Sequence, residues 1–199
     1  MSSNYDTCIL EYKIHAEYQQ LMKHQVPNVY VIPSATSSFI WYGVIFLHQG
    51  LYEGGVFRFT LFIPDNFDCP RVIFNPIIYH PLINNETGEL DVKQYIPNWK
   101  RNIHHIYHVL FYIKEIFFQI ETKNCFNKEA ANLYENNFEL FMKKVKQSVD
   151  YSNQKLYDNP PINSDDPHAI KFTKMTEEML NQTKKEMLNK FNNHSNKSS

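Results

Sequence analysis

Glycine is scarce, at five in 199 residues. None sits in a phosphate-cradling loop or a nucleophile elbow, so neither P-loop nor serine-hydrolase chemistry has the backbone turn it needs. Cysteine is scarcer still. Cys8, Cys69 and Cys125 are odd in number and far apart, which excludes a disulfide framework and the paired spacing of a zinc module, and they read as reduced thiols. An excess of one charge is also missing. Twenty basic residues against 21 acidic ones leave a net charge of -1, and the two signs are interspersed, so neither nucleic acid nor a polybasic membrane contact is expected. The richest apolar run is broken by Lys114 and Glu115. The opening residues Met1 to Asp6 lack a basic and apolar leader, and the expectation is an intracellular, cytoplasmic protein with no direct membrane insertion. There is no internal repeat.

What is present is aromatic. Fifteen Phe and 13 Tyr in a composition that is 43% hydrophobic supply large side chains for one core, in a chain that suits a domain of roughly 150 residues and a tail. Within residues 5–25, Leu10, Ile14, Tyr18 and Leu21 recur at three- and four-residue steps, the pattern of an amphipathic helix that Val26-Pro27-Asn28 ends. Three stretches rich in aromatic and β-branched residues follow, 39–47, 56–63 and 71–74. Their connections are too short for a parallel crossover, so they read as an antiparallel meander. Residues 75–100 keep neither period, and long irregular segments of this kind tend to carry function.

Asn102 is expected to cap a helix running to about residue 120, with Ile103, Ile106, Tyr107, Leu110, Ile113 and Phe117 toward the sheet. Its other side, Val109, Phe111, Tyr112, Ile116 and Phe118, is apolar too, and such a helix is covered on both sides. The cover is either an external partner or the next helix, expected over 128–156 with Tyr134, Phe138, Phe141, Val145 and Val149 as its stripe. After Asp158 the chain turns polar. The expected division is a domain over 1–157 and a tail over 158–199, partly disordered from Asn192 on, with a weak amphipathic helix at about 173–191. Its Met175, Met179, Leu180, Met187, Leu188 and Phe191 form the apolar side.

The order of elements is a weak signal, but the motifs are not. Tyr52-Glu53-Gly54-Gly55-Val56-Phe57-Arg58-Phe59, Ile63-Pro64, Pro70-Arg71-Val72-Ile73-Phe74, His80-Pro81, Gly88-Glu89-Leu90 and Trp99 stand in one register. Together they resemble the central signature of the ubiquitin-conjugating enzymes over about residues 5–157. The resemblance implies an α+β, UBC-like fold: an N-terminal helix, an antiparallel four-stranded β-meander, then C-terminal helices. In working members of that family a His-Pro-Asn triplet precedes a glycine, and the catalytic cysteine lies three residues after the glycine and eight before a tryptophan. Counting from Gly88 and from Trp99 both lead to Asp91, and the triplet reads His80-Pro81-Leu82. Thiolate nucleophile and oxyanion donor are thus both replaced. A carboxylate can form only a mixed anhydride that water destroys, and loss of one oxyanion donor alone costs about 100- to 1,000-fold in rate. The sequence implies an inactive homologue with no catalytic residue and no cofactor.

Among cysteine-less variants the sequence is similar to the Fused Toes, or AKT-interacting protein, family. The likeness rests on Trp41-Tyr42-Gly43-Val44-Ile45-Phe46, Gly50-Leu51-Tyr52, Ile63-Pro64-Asp65-Asn66, His80-Pro81-Leu82, Gly88-Glu89-Leu90-Asp91-Val92-Lys93, Trp99-Lys100-Arg101-Asn102 and, in the tail, Asp166-Pro167-His168-Ala169-Ile170. The turn Phe67-Asp68-Cys69-Pro70 is shorter than that family's. The likeness implies a cytoplasmic adaptor, peripheral to vesicle membranes, that binds the C-terminal region of Hook coiled-coil proteins together with an FHIP subunit and links vesicles to dynein. It also implies a tie to AKT kinase. The second reading is a ubiquitin-binding or conjugating-enzyme-partner domain, as other cysteine-less members of the fold are.

Candidate partner-binding residues are Phe111, Ile116 and Phe118 on the long helix and Met179, Met187 and Phe191 in the tail. His104 and His108, four apart with Asp91 near, invite a zinc reading, but no Glu or thiol completes a motif and no metal is expected. Asp91 with Glu89 is expected to be a solvated pair of carboxylates and not an acid/base couple.

Overall fold

The computed structural model describes residues 2–160 and 164–195. Helix α1 spans Ser2–Lys23 and turns Ile14 and Leu21 into the core. Five strands follow in one antiparallel sheet of order β1-β2-β3-β4-β5: Val29–Pro33, Ile40–Phe46, Val56–Phe62, Arg71–Phe74 and Glu89–Leu90. After Leu90 come α2 (Val92–Tyr95), α3 (Ile106–Glu115), α4 (Lys128–Asn136), α5 (Phe138–Gln154), a 3-10 turn at Lys155–Tyr157 and α6 (Glu177–Ser195). No described helix is long and apolar enough to cross a membrane.

The sheet is built on β2 and β3, which pair along their full length from Ile40↔Phe62 to Phe46↔Val56. Period-two alternation puts Trp41, Ile45, Phe57, Phe59 and Leu61 on one face, all buried, and β4 adds Val72 and Phe74. Gly43 stands opposite Phe59 in this register, and a Cβ there would lie 2.2 Å from Cζ of the Phe59 ring. The glycine is the space the ring occupies. Phe117 joins the cluster, stacked on Phe57 with centroids 5.4 Å apart and edge-on to Tyr52 and Phe74.

Tyr42, Val44, Arg58 and Thr60, on the other face, would be the wet side of a simple meander, but Tyr42, Val44, Arg58 and Thr60 are buried as well. The chain after α5 lies across them. Arg58 donates from Nη1 to the Asp158 carbonyl at 3.1 Å and from Nη2 to the Lys155 carbonyl at 3.0 Å, closing the C-terminal end of α5. Asp166 then accepts from Ser34 Oγ at 2.5 Å, the Ala35 N–H at 3.2 Å, Thr36 Oγ1 at 3.3 Å and the Tyr42 hydroxyl at 3.3 Å. His168 Nδ1 lies 2.8 Å from the Pro33 carbonyl, and Phe172 meets Phe46 edge to face. The polar chain beyond Asp158 therefore does not leave the domain at once.

Several expectations need correction. The sheet has five strands and not four, because Glu89–Leu90 pairs with β4 inside the irregular stretch. The helix expected from Asn102 begins at Ile106 and ends at Glu115. Glu17 of α1 supplies its N-terminal carboxylate, accepting the Ile106 N–H at 3.0 Å, and His108 adds a local cap by accepting the His105 N–H on Nδ1. The single helix expected over 128–156 is two. Asn137, at φ -150°, breaks the run, and its side chain accepts the Leu140 N–H to start α5. The tail helix starts at Glu177 and continues through Asn192 to Ser195.

Candidate functional site

The irregular segment between β4 and α3 folds back on itself. Gly88, at φ +73°, lets the chain pass so close to β4 that a Cβ there would meet the Phe74 carbonyl at 2.3 Å. Asn84 accepts the Gly88 N–H on its carbonyl at 2.9 Å and donates its own N–H to the Glu89 carbonyl at 2.9 Å. This turn sets β5 against β4 and delivers Asp91 to its end.

Asp91 is fixed on three sides. Its N–H donates to the Leu82 carbonyl at 3.2 Å, and its carbonyl accepts the Tyr112 hydroxyl at 3.1 Å. Its carboxylate Oδ1 accepts the Gln94 N–H at 3.1 Å, which makes Asp91 the N-cap of α2. Burial pushes the Tyr112 hydroxyl well above its ordinary range, with Asp91 and Glu121 adding to the effect, so that hydroxyl acts as a fixed donor. Glu89, two residues earlier, is held by Arg71 through a fork of 2.7 and 3.0 Å. That hydrogen bond keeps its carboxyl below the usual range. Asp91 is a helix cap and Glu89 an ion-pair member.

His80-Pro81-Leu82 sits at the centre of the packing. His80 is fully enclosed, with Nε2 2.8 Å from the Ile116 carbonyl and Nδ1 accepting the Leu82 N–H at 3.0 Å. The two contacts require the neutral tautomer with the proton on Nε2. Burial lowers the imidazole to about 4, against the opposing pull of the Ile116 carbonyl. The Pro81 carbonyl accepts the Asn127 N–H at 2.8 Å, tying the start of α4 to the same point, and Leu82 is buried. Trp99 donates from Nε1 to the Phe67 carbonyl at 3.0 Å and fastens the stretch after α2 to the β3–β4 turn. The structure brings His80, Pro81, Leu82 and Asp91 together, while Trp99 is anchored to the β3–β4 turn.

Of the two thiols with described surroundings, Cys69 feels the charge of Asp91. Its Sγ is 3.8 Å from the Pro70 carbonyl, and burial raises the thiol to about 11, Lys93 opposing and Asp68 and Asp91 adding to the rise. A thiol held so high stays protonated, the reverse of what a nucleophile needs. Cys125 Sγ is 3.7 Å from the Asn127 carbonyl.

The histidines at the start of α3 are also committed. His104 Nδ1 accepts the Lys100 N–H at 2.8 Å and His108 Nδ1 accepts the His105 N–H at 3.0 Å. In the neutral rings the proton therefore sits on Nε2, the nitrogen a shared metal would have to use. This bonding works against the zinc reading. Among the described residues no group of three or more His, Cys, Asp or Glu side chains is placed to hold a metal ion.

The partner-binding candidates separate. Phe111 and Phe118 are 40% and 42% exposed, and Met179 is 49% exposed. Ile116 is 1% exposed and packs in the core, which corrects its selection: it follows the last turn of α3, where the chain bends inward. The side chains of Met187 and Phe191 lie outside the described residues. Sequence reading missed the apolar groove beside the edge strand β1, lined by Tyr30, Val31, Val44, Phe46, Ile170 and Phe172. It also missed the clasp formed by Asp166, since a lone acidic residue in a polar tail carries no periodic signal.

The ubiquitin-conjugating enzyme family model matches residues 13–149. A homologue of AKT-interacting protein from Nematostella vectensis is 43% identical over 187 residues, covering 92% of this chain and 62% of that protein. The Homo sapiens AKT-interacting protein is 42% identical over 189 residues, covering 94% of this chain and 64% of that protein. The chain therefore spans less than two thirds of the length of these relatives. A crystal structure of a Plasmodium yoelii protein, solved as a candidate ubiquitin conjugating enzyme, superposes with a TM-score of 0.62 at 22% identity, covering 70% of this chain and 92% of that one. That likeness concerns the fold.

Proposed function

We propose that this chain, which belongs to the ubiquitin-conjugating enzyme family, is a member without thioester chemistry and works as a binding subunit. The observation that carries the reading is Asp91, three residues after Gly88 and eight before Trp99, where its carboxylate caps α2. An acyl group on that oxygen would be a mixed anhydride, and forming it would cost α2 its cap. Leu82 offers no side-chain donor to a developing oxyanion. The protonated state of Cys69 supports the same reading.

Its role in this account is an adaptor. It binds the C-terminal region of a Hook-family coiled-coil protein with an FHIP-type subunit and links vesicles to dynein-driven transport, reaching the membrane surface through those partners. Support comes from the likeness to the AKT-interacting proteins and from exposed Phe111, Phe118 and Met179, which are free to meet a partner. The relatives' name adds AKT kinase as a further candidate partner. The test is retention of the purified full chain on an immobilised Hook C-terminal coiled coil. The account expects stoichiometric retention; a folded chain that washes through would remove the adaptor reading.

A further inference from the structure

Three imidazoles gather around Tyr107 at the start of α3, and a fourth, His104, lies beside one of them. His24 of α1 stacks on the Tyr107 ring with centroids 4.4 Å apart, and His105 and His108 lie at 5.6 and 4.1 Å from it. His104 is 6.1 Å from His108. Their hydrogen bonds divide them into two kinds. His105 turns Nδ1 to the Glu17 carboxylate at 2.9 Å, an arrangement that welcomes a proton. His104 and His108 turn Nδ1 to backbone N–H groups, those of Lys100 and His105. An imidazolium has a proton on both nitrogens, so a charged His104 or His108 would set one N–H against another.

We propose that the start of α3 is a pH-sensitive latch, in which protonation of His104 and His108 breaks two bonds: the one from the Lys100 N–H to His104, which folds residues 100–104 together, and the one from the His105 N–H to His108, which ties their end to the helix. The helix end itself favours the neutral ring of His108, because the first turn carries partial positive charge. The groups facing the two rings pull in both directions. At His108, Glu17 of α1 favours the charged form, while His105 and His104 when charged oppose it; Glu17, Asp68 and Arg101 line the space beside His104, and Lys100 lies by both rings. Tyr95 of α2 closes the same region without charge at neutral pH. For His108 the balance falls toward the neutral ring: burial comes first, then His105, and its imidazole lies below the ordinary range.

The consequence reaches beyond the helix. The segment that loses these bonds, while His105 keeps its hold on Glu17, carries Lys100, Ile103 and His104, which with Tyr95, Ile96 and Pro97 line a groove beside α2, the helix that Asp91 caps. Opening the latch reshapes that groove while Trp99 stays anchored to Phe67.

The experiment is amide exchange on the full chain, read as protection factors at Lys100 and His105 from pH 7.5 to 5.5. The Phe74 amide, held by the Gly88 carbonyl and by no titrating group, serves as the internal control. Protection at Lys100 and His105 should fall by about tenfold for each pH unit below the titration of the rings. A His104→Asn/His108→Asn double variant keeps an acceptor oxygen near each Nδ1 position and does not titrate, so its protection should stay flat. Flat profiles in the unaltered chain, or the same fall in the double variant, would overturn the latch. Should the double variant lose cooperative unfolding, the ring nitrogens of the unaltered chain decide. Protons on Nε2 of both rings at pH 7.5 uphold the proposal, and protons on Nδ1 overturn it.

Discussion

Ser34 and Asp166, 132 residues apart in the chain, meet in a buried hydrogen bond of 2.5 Å. Through this contact a segment that looks in sequence like the start of a loose tail closes one face of the sheet. Burial acts to raise the Asp166 carboxyl. Hydrogen bonds from Ser34, the His168 and Ala35 N–H groups and Thr36 outweigh it, and hold the group well below the usual carboxylate range. Asp166→Ala leaves Ser34, Tyr42 and the Ala35 N–H without their acceptor, and should lower the midpoint of thermal unfolding by about 5 °C. Unchanged melting would mean that the clasp adds nothing.

His80 predicts an acid-sensitive fold. Its imidazole lies at about 4 in the folded chain and near 6.5 when exposed, so the unfolded state takes up the proton first. The sign follows: this contribution is complete above roughly pH 6.5 and declines as pH falls toward 4, by on the order of 3 kcal/mol in all. Urea unfolding at pH 7.5 and pH 5 measures it. His80→Gln should start lower, by about 2–4 kcal/mol, and lose this part of the pH slope. An equal slope in both proteins would assign the acid sensitivity elsewhere.

Gly43→Ala should destabilise by about 1–3 kcal/mol, because the added methyl falls within the Phe59 ring and the ring has the packed core behind it. Pairing it with Phe59→Leu, which vacates that space, should recover part of the loss. If the double variant instead adds the two costs, the clash is not their cause.

How much of this was legible follows from which signals are periodic. The paired strands 40–46 and 56–62 were readable because aromatic and β-branched residues dominate them. The α3 face was readable in Ile106, Leu110 and Ile113 for the same reason. Its start was not, since the stabilising carboxylate is Glu17, 89 residues from Ile106. β5 has two residues and no period to detect. The region around His80 and Asp91 was found through motif spacing alone. What those residues do locally, a helix cap and an enclosed two-ended hydrogen bond, depends on Gln94, Tyr112 and Ile116, which no spacing rule names.

Asp91→Ala should cost about 1 kcal/mol through the lost cap of α2. Asp91→Cys should cost a similar amount and transfer ubiquitin about 100- to 1,000-fold more slowly than the Leu82→Asn/Asp91→Cys double variant, because Leu82 lends no donor. Calorimetry and a rate assay read the two effects separately. Equal rates in the two variants would mean that only the nucleophile is missing.

The most direct measurement is intact-mass analysis of the unaltered full chain after incubation with ubiquitin-activating enzyme, ubiquitin and ATP, with and without reductant. The account predicts the mass of the bare chain in both samples. A ubiquitin adduct that disappears with reductant would contradict it, because one of the three cysteines would then be doing the chemistry that Asp91 cannot.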